Sequence, residues 1–289
     1  METTPMANHL KNPWLVIIAL TTALIPPVFA VPTTINDTEA TSYYMGSDAH
    51  GYGDVIGSES NFQIYNMDVS LTGTVLDVKI NTTFAGKAGT LFNGDITGGN
   101  GIGYGDLFLS SVWDPHGDAP YALDDHASGT FWTYGLSIDD IAINRFSNGD
   151  INSASASLYK LEGATNNDNA LLSDDFLFSP TFRNGQEVAV DISDENIKHI
   201  GNPGGNVVDT GIDGTWSVNA NDFISFSIDL AGTDLMLGDE IGLHWGFTCA
   251  NDVIEGAYSV PEPGMLALMG MGLLILAGTS LSRRRISRL

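Results

Sequence analysis

Apolar and polar residues alternate with a period of two at several points along this chain. Between residues 31 and 259 no stretch holds a helical period for three turns. Leu76, Val78 and Ile80 alternate with Asp77, Lys79 and Asn81, which puts the two sets on opposite faces of a strand. Ile224, Phe226, Ile228 and Leu230 alternate with Ser225, Ser227 and Asp229 in the same way. So do Ile241, Leu243, Trp245, Phe247 and Cys249 with Gly242, His244, Gly246 and Thr248. Residues 106–113, 131–138 and 187–192 also read as strands. Turn-forming runs separate the segments: Asn93-Gly94-Asp95, Gly98-Gly99-Asn100-Gly101, Ser147-Asn148-Gly149-Asp150 and Asn202-Pro203-Gly204-Gly205. Many short strands punctuated in this way predict an all-β fold, a two-sheet β-sandwich or jelly roll. Residues 31–259 contain neither a Pro/Ser/Thr-rich linker nor a repeat of fixed period, so they are expected to form one exported domain.

The two ends break the pattern. Lys11 precedes an apolar run from Trp14 to Ala23, too short to span a bilayer but suited to the core of a signal peptide. Pro26 and Pro27 follow, then Val28-Phe29-Ala30, with modest or small residues at the −3 and −1 positions of a cleavage site. Residues 1–30 are expected to be a signal peptide, taken by the export machinery and cut after Ala30 by signal peptidase. At the other end, Val260-Pro261-Glu262-Pro263 leads into an uncharged apolar run from Gly264 to Leu281, then Arg283-Arg284-Arg285. As a helix at about 1.5 Å per residue the run reaches about 27 Å, close to the bilayer core of about 30 Å. A transmembrane helix is therefore predicted over 264–281. The Arg-rich end, 283–289, would be held on the cytoplasmic side by the positive-inside bias.

Pro-Glu-Pro, a short apolar helix and a terminal Arg cluster, in that order, resemble the PEP-CTERM sorting signal of Gram-negative bacteria, also catalogued as an ice-binding protein C-terminal domain. The resemblance covers residues 260–289. It implies recognition by an exosortase, an integral-membrane transpeptidase-like cysteine protease. Pro261, Glu262 and Pro263 would be its recognition element, and Arg283, Arg284 and Arg285 the retention element. It also implies an inner-membrane-anchored precursor that later reaches the cell surface or extracellular matrix. The run from His244-Trp245 through Cys249, Asn251-Asp252 and Ile254-Glu255-Gly256 resembles the closing segment of surface proteins that carry this tail. Gly105-Asp106-Leu107-Phe108-Leu109 with Trp113 resembles another of their stretches. Ala250 stands where Gly would be common, so a less tight turn is expected there.

Charge narrows the partners. The chain has 35 acidic against 11 basic residues, a formal net charge of −24. Lys11, Arg283, Arg284, Arg285 and Arg288 lie outside 31–259, so the exported part is more acidic still. Such a surface repels nucleic acid and anionic membranes. The single cysteine, Cys249, excludes an intramolecular disulfide, and stability must come from the core.

Candidate chemistry is sparse. Asp114, Asp118, Asp124 and Asp125 sit on a turn-rich loop whose carboxylates could converge on calcium, although the spacing is not that of an EF-hand. His116 and His126 flank this loop without further partners for zinc. His244 and Cys249 suggest a thiol nucleophile, but strand parity sends them to opposite faces, with the thiol beside Trp245 and Phe247. Asp139-Asp140 and Asp174-Asp175 are carboxylate pairs of the kind glycoside hydrolysis uses, yet neighbours on a strand point apart. Tyr43, Tyr44, Trp113, Tyr121, Trp132 and Tyr134 could stack on sugars or fill a core, with Trp132 and Trp245 assigned to the core. The expected function is that of an exported, non-enzymatic surface or matrix protein that requires no cofactor, sorted by an exosortase. The alternative is a calcium-assisted carbohydrate-binding module of an exopolysaccharide matrix. A hydrolase would need two facing carboxylates in one cleft.

Overall fold

The alternating segments become strands in a computed structural model, which describes residues 32–37, 55–91, 101–117, 121, 124–138, 148–176, 183, 185–192 and 206–260. The strands are β1 (Thr33–Asn36), β2 (Ile64–Thr72), β3 (Val75–Thr82), β4 (Leu107–Ser110), β5 (Tyr134–Ser137) and β6 (Ile151–Leu161). They continue with β7 (Ala170–Leu172), β8 (Glu187–Val190), β9 (Val207–Asn219), β10 (Phe223–Asp229), β11 (Glu240–Gly246) and β12 (Val253–Ser259). Ten of them pair antiparallel in the order β1-β2-β3-β10-β9-β6-β5-β4-β11-β12, and β7 pairs with β8 in a small second sheet. The expected all-β class holds. The architecture differs in detail, because the ten strands form one rolled sheet and not two hydrogen-bonded layers.

Rolling has a local cause. A sheet this wide curls rather than stays flat, and β-bulges sharpen the bend. Register shifts fall between Ile64 and Asn66 of β2, and at Ile151/Ala154 and Leu158/Tyr159 of β6. The two edges then meet. A methyl group placed on Gly256 of β12 would lie 2.6 Å from the Ile35 side chain of β1. The Ile64 N–H donates to the Asp252 carboxylate at 2.6 Å, and the Ile56 N–H to the Asn251 carbonyl at 2.7 Å.

Inside the roll, the apolar residues of β2, β3 and β10 meet a cluster of aromatic rings. Phe84 lies 4.5 Å from Phe247 and 5.5 Å from Tyr104, ring centre to ring centre, and Trp245 lies 5.2 Å from Phe247. Trp216 and Trp245 are fully buried. All described residues belong to one compact unit, Ala30–Pro261. Among them no helix is long and apolar enough to cross a membrane. The expected signal peptide with its cleavage at Ala30, the run 264–281 and the terminal arginines lie outside the described residues.

A second, smaller core lies on the outer face of β4–β6, where Phe108, Trp132, Tyr159, Leu161, Ala170 and Val190 pack together. β4 and β5 are thus buried on both faces, which is why Leu107-Phe108-Leu109 shows no alternation. Asp106 joins the two sheets: its carboxylate accepts the Ile138 N–H at 3.0 Å and the Val190 N–H at 2.7 Å. Beside it, the Gly105 N–H donates to the Gly246 carbonyl at 3.0 Å. A Cβ on Gly105 would run into that carbonyl and come within 2.9 Å of the Val188 carbonyl. Both obstacles are backbone, so Gly105→Ala is expected to destabilise the domain by about 1–3 kcal/mol in urea unfolding. A loss within error of zero would show that the junction is slack. Ala250 also departs from expectation. It adopts φ 47° and closes a tight turn, its N–H donating to the Phe247 carbonyl at 2.8 Å. The left-handed conformation costs about 1–2 kcal/mol and is held by packing against Val188 and Val253.

Candidate functional site

Register, and not local sequence, assembles the densest group of ionisable side chains. In the β11–β12 pair His244 lies directly opposite Glu255, and across β11–β4 it lies opposite Phe108. Alternation along β11 turns Leu243 and Trp245 into the roll and His244 outward, where it meets Glu187 of β8, Phe108 and Trp132. Glu187, first residue of β8, and Asp124 complete the group. None of the four is more than 8% exposed.

Glu255 is the hub. Its Oε1 accepts the Trp113 indole N–H at 2.7 Å and the Thr130 hydroxyl at 3.2 Å. Its Oε2 lies 3.7 Å from His244 Nδ1. Its carboxylate also shares a hydrogen bond with the carboxyl group of Asp124. Asp124 in turn accepts the backbone N–H groups of His116 at 3.2 Å and Thr130 at 3.4 Å, which folds the loop around it. His244 Nε2 contacts the Glu187 carbonyl oxygen at 3.0 Å. A carbonyl can only accept, so the proton resides on Nε2, while Nδ1 makes no hydrogen bond and faces Glu255. The imidazole packs against Trp132 at 5.5 Å and Phe108 at 6.1 Å. Asn166 clasps the far side, donating to the Thr130 carbonyl at 2.9 Å and accepting the Trp132 N–H at 3.0 Å.

Burial dominates the electrostatics. It pushes the Asp124 carboxyl up to about 8, with the negative charge of Glu255 adding to the effect. It raises Glu187 to about 8 as well, again with help from Glu255. Both groups are therefore largely neutral acids below that pH. Chemically, the arrangement can share a proton between Asp124 and Glu255 and can tie three separate segments to the sheet. The hydrogen bond between these two carboxyls is unlike the separated pair that an inverting hydrolase uses to hold its water.

The residues singled out in the sequence are dispersed. Asp114 is exposed and its N–H donates to Thr130 Oγ1 at 3.1 Å. Asp125 accepts the Ala127 and Ser128 N–H groups at 2.9 and 3.0 Å, capping its own turn, and Asp118 lies outside the described residues. Among the described residues no three His, Cys, Asp or Glu side chains are placed to hold a metal ion. Of the residues expected to hold calcium, Asp124 turns inward to Glu255 and Asp125 to its own backbone, while Asp118 lies outside the described residues. His116 is exposed, and His126 faces the Gly185 carbonyl at 3.1 Å. Asp174 accepts the Gly185 N–H and Asp175 the Leu172 N–H, so this pair stabilises turns; Asp139 and Asp140 are not among the described residues. Cys249 faces the main core, and burial pushes its thiol well above the usual range. Trp132 is buried, and Trp113 meets Tyr121 edge-on at 5.3 Å. Sequence reasoning missed Glu187 and Glu255 as members of a cluster; only knowledge of strand register could have brought them together.

The described residues run up to the start of the tail. Val260 is buried in the main core, and its N–H donates to the Asp239 carbonyl at 2.9 Å. Residues 259–285 match the family model of the PEP-CTERM protein-sorting motif. The chain carries a PEP-CTERM sorting signal. No curated protein and no solved structure matches the chain. A PEP-CTERM motif directs an exported protein through the membrane for sorting by an exosortase. Its first residue, Ser259, is also the last residue of β12, so only Val260 separates the strand from Pro261-Glu262-Pro263 in the sequence.

Proposed function

We propose that this PEP-CTERM protein is a non-enzymatic surface protein, displayed on the cell or in the extracellular matrix after an exosortase cuts at or near Pro261-Glu262-Pro263. The sorting motif that starts on the last residue of β12 carries this reading. A precursor held by residues 264–281, with Arg283, Arg284 and Arg285 in the cytoplasm, would have its cutting point within a few residues of β12 in the sequence. The non-enzymatic reading is supported by closure of the acid–histidine cluster. Its side chains are buried and serve one another, and Asp124 and Glu255 touch where a reaction would need space.

Replacing Pro261, Glu262 and Pro263 together by alanine is expected to leave the intact chain in the inner-membrane fraction. The native chain should appear at the surface without its tail. Equal surface delivery of the variant and the native chain would refute this assignment.

A further inference from the structure

We propose that the outer face of β2, β3, β10 and β9 is a groove for a neutral, hydroxyl-rich polysaccharide, a proposal independent of the sorting reading. The inner face of these strands is the core, and the outer face carries a cavity of about 300 Å³. Pro32, just before β1, bounds it on one side. Asn152 and Ser153 bound it on the other, where β6 bulges between Ile151 and Ala154. Bulges of this kind re-aim side chains beside binding sites.

Register arranges the floor in two rows that cross the strands. Ser70, Asp77, Ser227 and Thr215 are successive cross-strand partners, and so are Asp68, Lys79, Ser225 and Ser217. Neighbouring strands lie about 4.8 Å apart, so polar groups recur along each row at close to the length of one pyranose residue. Mutual hydrogen bonds fix them. Ser217 and Ser225 hydroxyls are 2.7 Å apart, Ser227 donates to Asp77 at 2.6 Å, and Asn81 donates to Asp68 at 3.2 Å. Side chains held in this way bind with a smaller entropic cost.

The chemistry selects the ligand class. β3, β10 and β9 are hydrogen-bonded on both sides, so an added peptide strand finds no free backbone. Ser and Thr hydroxyls both donate and accept, and Asp68 and Asp77 can each accept from neighbouring sugar hydroxyls. Lys79 lies over the Phe223 ring at 4.6 Å and offsets part of the carboxylate charge within the groove. The strongly acidic chain disfavours polyanions.

Affinity electrophoresis of the full chain in detergent tests this, with dextran, galactomannan and mixed-linkage β-glucan as neutral probes and alginate and chitosan as charged ones. At least one neutral probe is expected to retard the native chain. The variants Ser217→Tyr/Ser225→Tyr and Thr215→Tyr, which fill the groove from different positions, should bind that probe at least tenfold more weakly while keeping the native unfolding midpoint. If one variant fails to fold, the other supplies the comparison. Retardation by no neutral probe, by chitosan alone, or equally in native and folded variant chains would overturn the proposal.

Discussion

Glu255→Ala is expected to lower the stability of the domain by about 2–5 kcal/mol, because several buried hydrogen-bonding groups lose their partner at once. The carboxylate accepts the Trp113 indole N–H and the Thr130 hydroxyl, shares a hydrogen bond with Asp124 and faces His244. Truncation leaves these groups beside a dry cavity, and each unsatisfied donor costs about 1–3 kcal/mol. Glu255→Gln separates hydrogen bonding from charge. Its amide oxygen can still accept from Trp113 and Thr130, and its NH2 can donate to Asp124, so a smaller loss of about 1–2 kcal/mol is expected. Urea unfolding of the three proteins at one pH would decide. If alanine and glutamine lose the same amount, the hydrogen-bond network adds nothing beyond the charge.

The same cluster makes stability depend on pH in an unusual direction. Asp124 and Glu187 have ordinary values of 3.8 and 4.5 and are pushed up to about 8 in the folded domain, chiefly by burial. Between pH about 4 and 8 the folded state therefore holds protons that the unfolded chain has released. Stability rises with pH only where the unfolded state binds more protons, so here it must fall. Their contribution is fully present below pH about 4 and is lost as pH rises through 8. Self-repulsion of a chain with net charge −24 acts in the same direction, so the slope of the native protein alone does not isolate the cluster. The double variant Asp124→Asn/Glu187→Gln does, because its neutral amides cannot titrate. Unfolding free energies at pH 5 and pH 8.5 should differ clearly in the native protein and much less in the variant. Parallel profiles would mean that these carboxyls are solvated in the folded state.

The strands most visible in the sequence are those with one dry and one wet face. β3 and β10 alternate in sequence and in burial, whereas β11 alternates in sequence but is buried on both faces, its second face covered around His244. β6 and β9 were not legible. Ser and Ala dominate Asn152-Ser153-Ala154-Ser155-Ala156-Ser157, and Gly211 and Gly214 interrupt β9, so neither presents a sustained apolar face. The rolled sheet was also hidden, because twist and bulges decide closure and leave little mark on composition. His244 and Cys249 do lie on opposite sides, as parity expects, although β11 ends at Gly246 and Cys249 sits in the turn that follows. The partnership of His244 with Glu255, Asp124 and Glu187 depends on the register of β11–β12 and on how β8, Asp124 and Trp132 meet it, information spread over distant parts of the chain. The sorting motif was legible because its parts are contiguous in the sequence, and residues 259–285 match its family model.

The most direct test of the account is mass spectrometry of the protein's C-terminus in surface and matrix material. An exosortase-sorted protein should end at or near Pro261-Glu262-Pro263, with Arg283 to Leu289 recovered only from the membrane-bound precursor. Recovery of an intact C-terminus through Leu289 from surface material would contradict sorting by cleavage and leave a plain anchor.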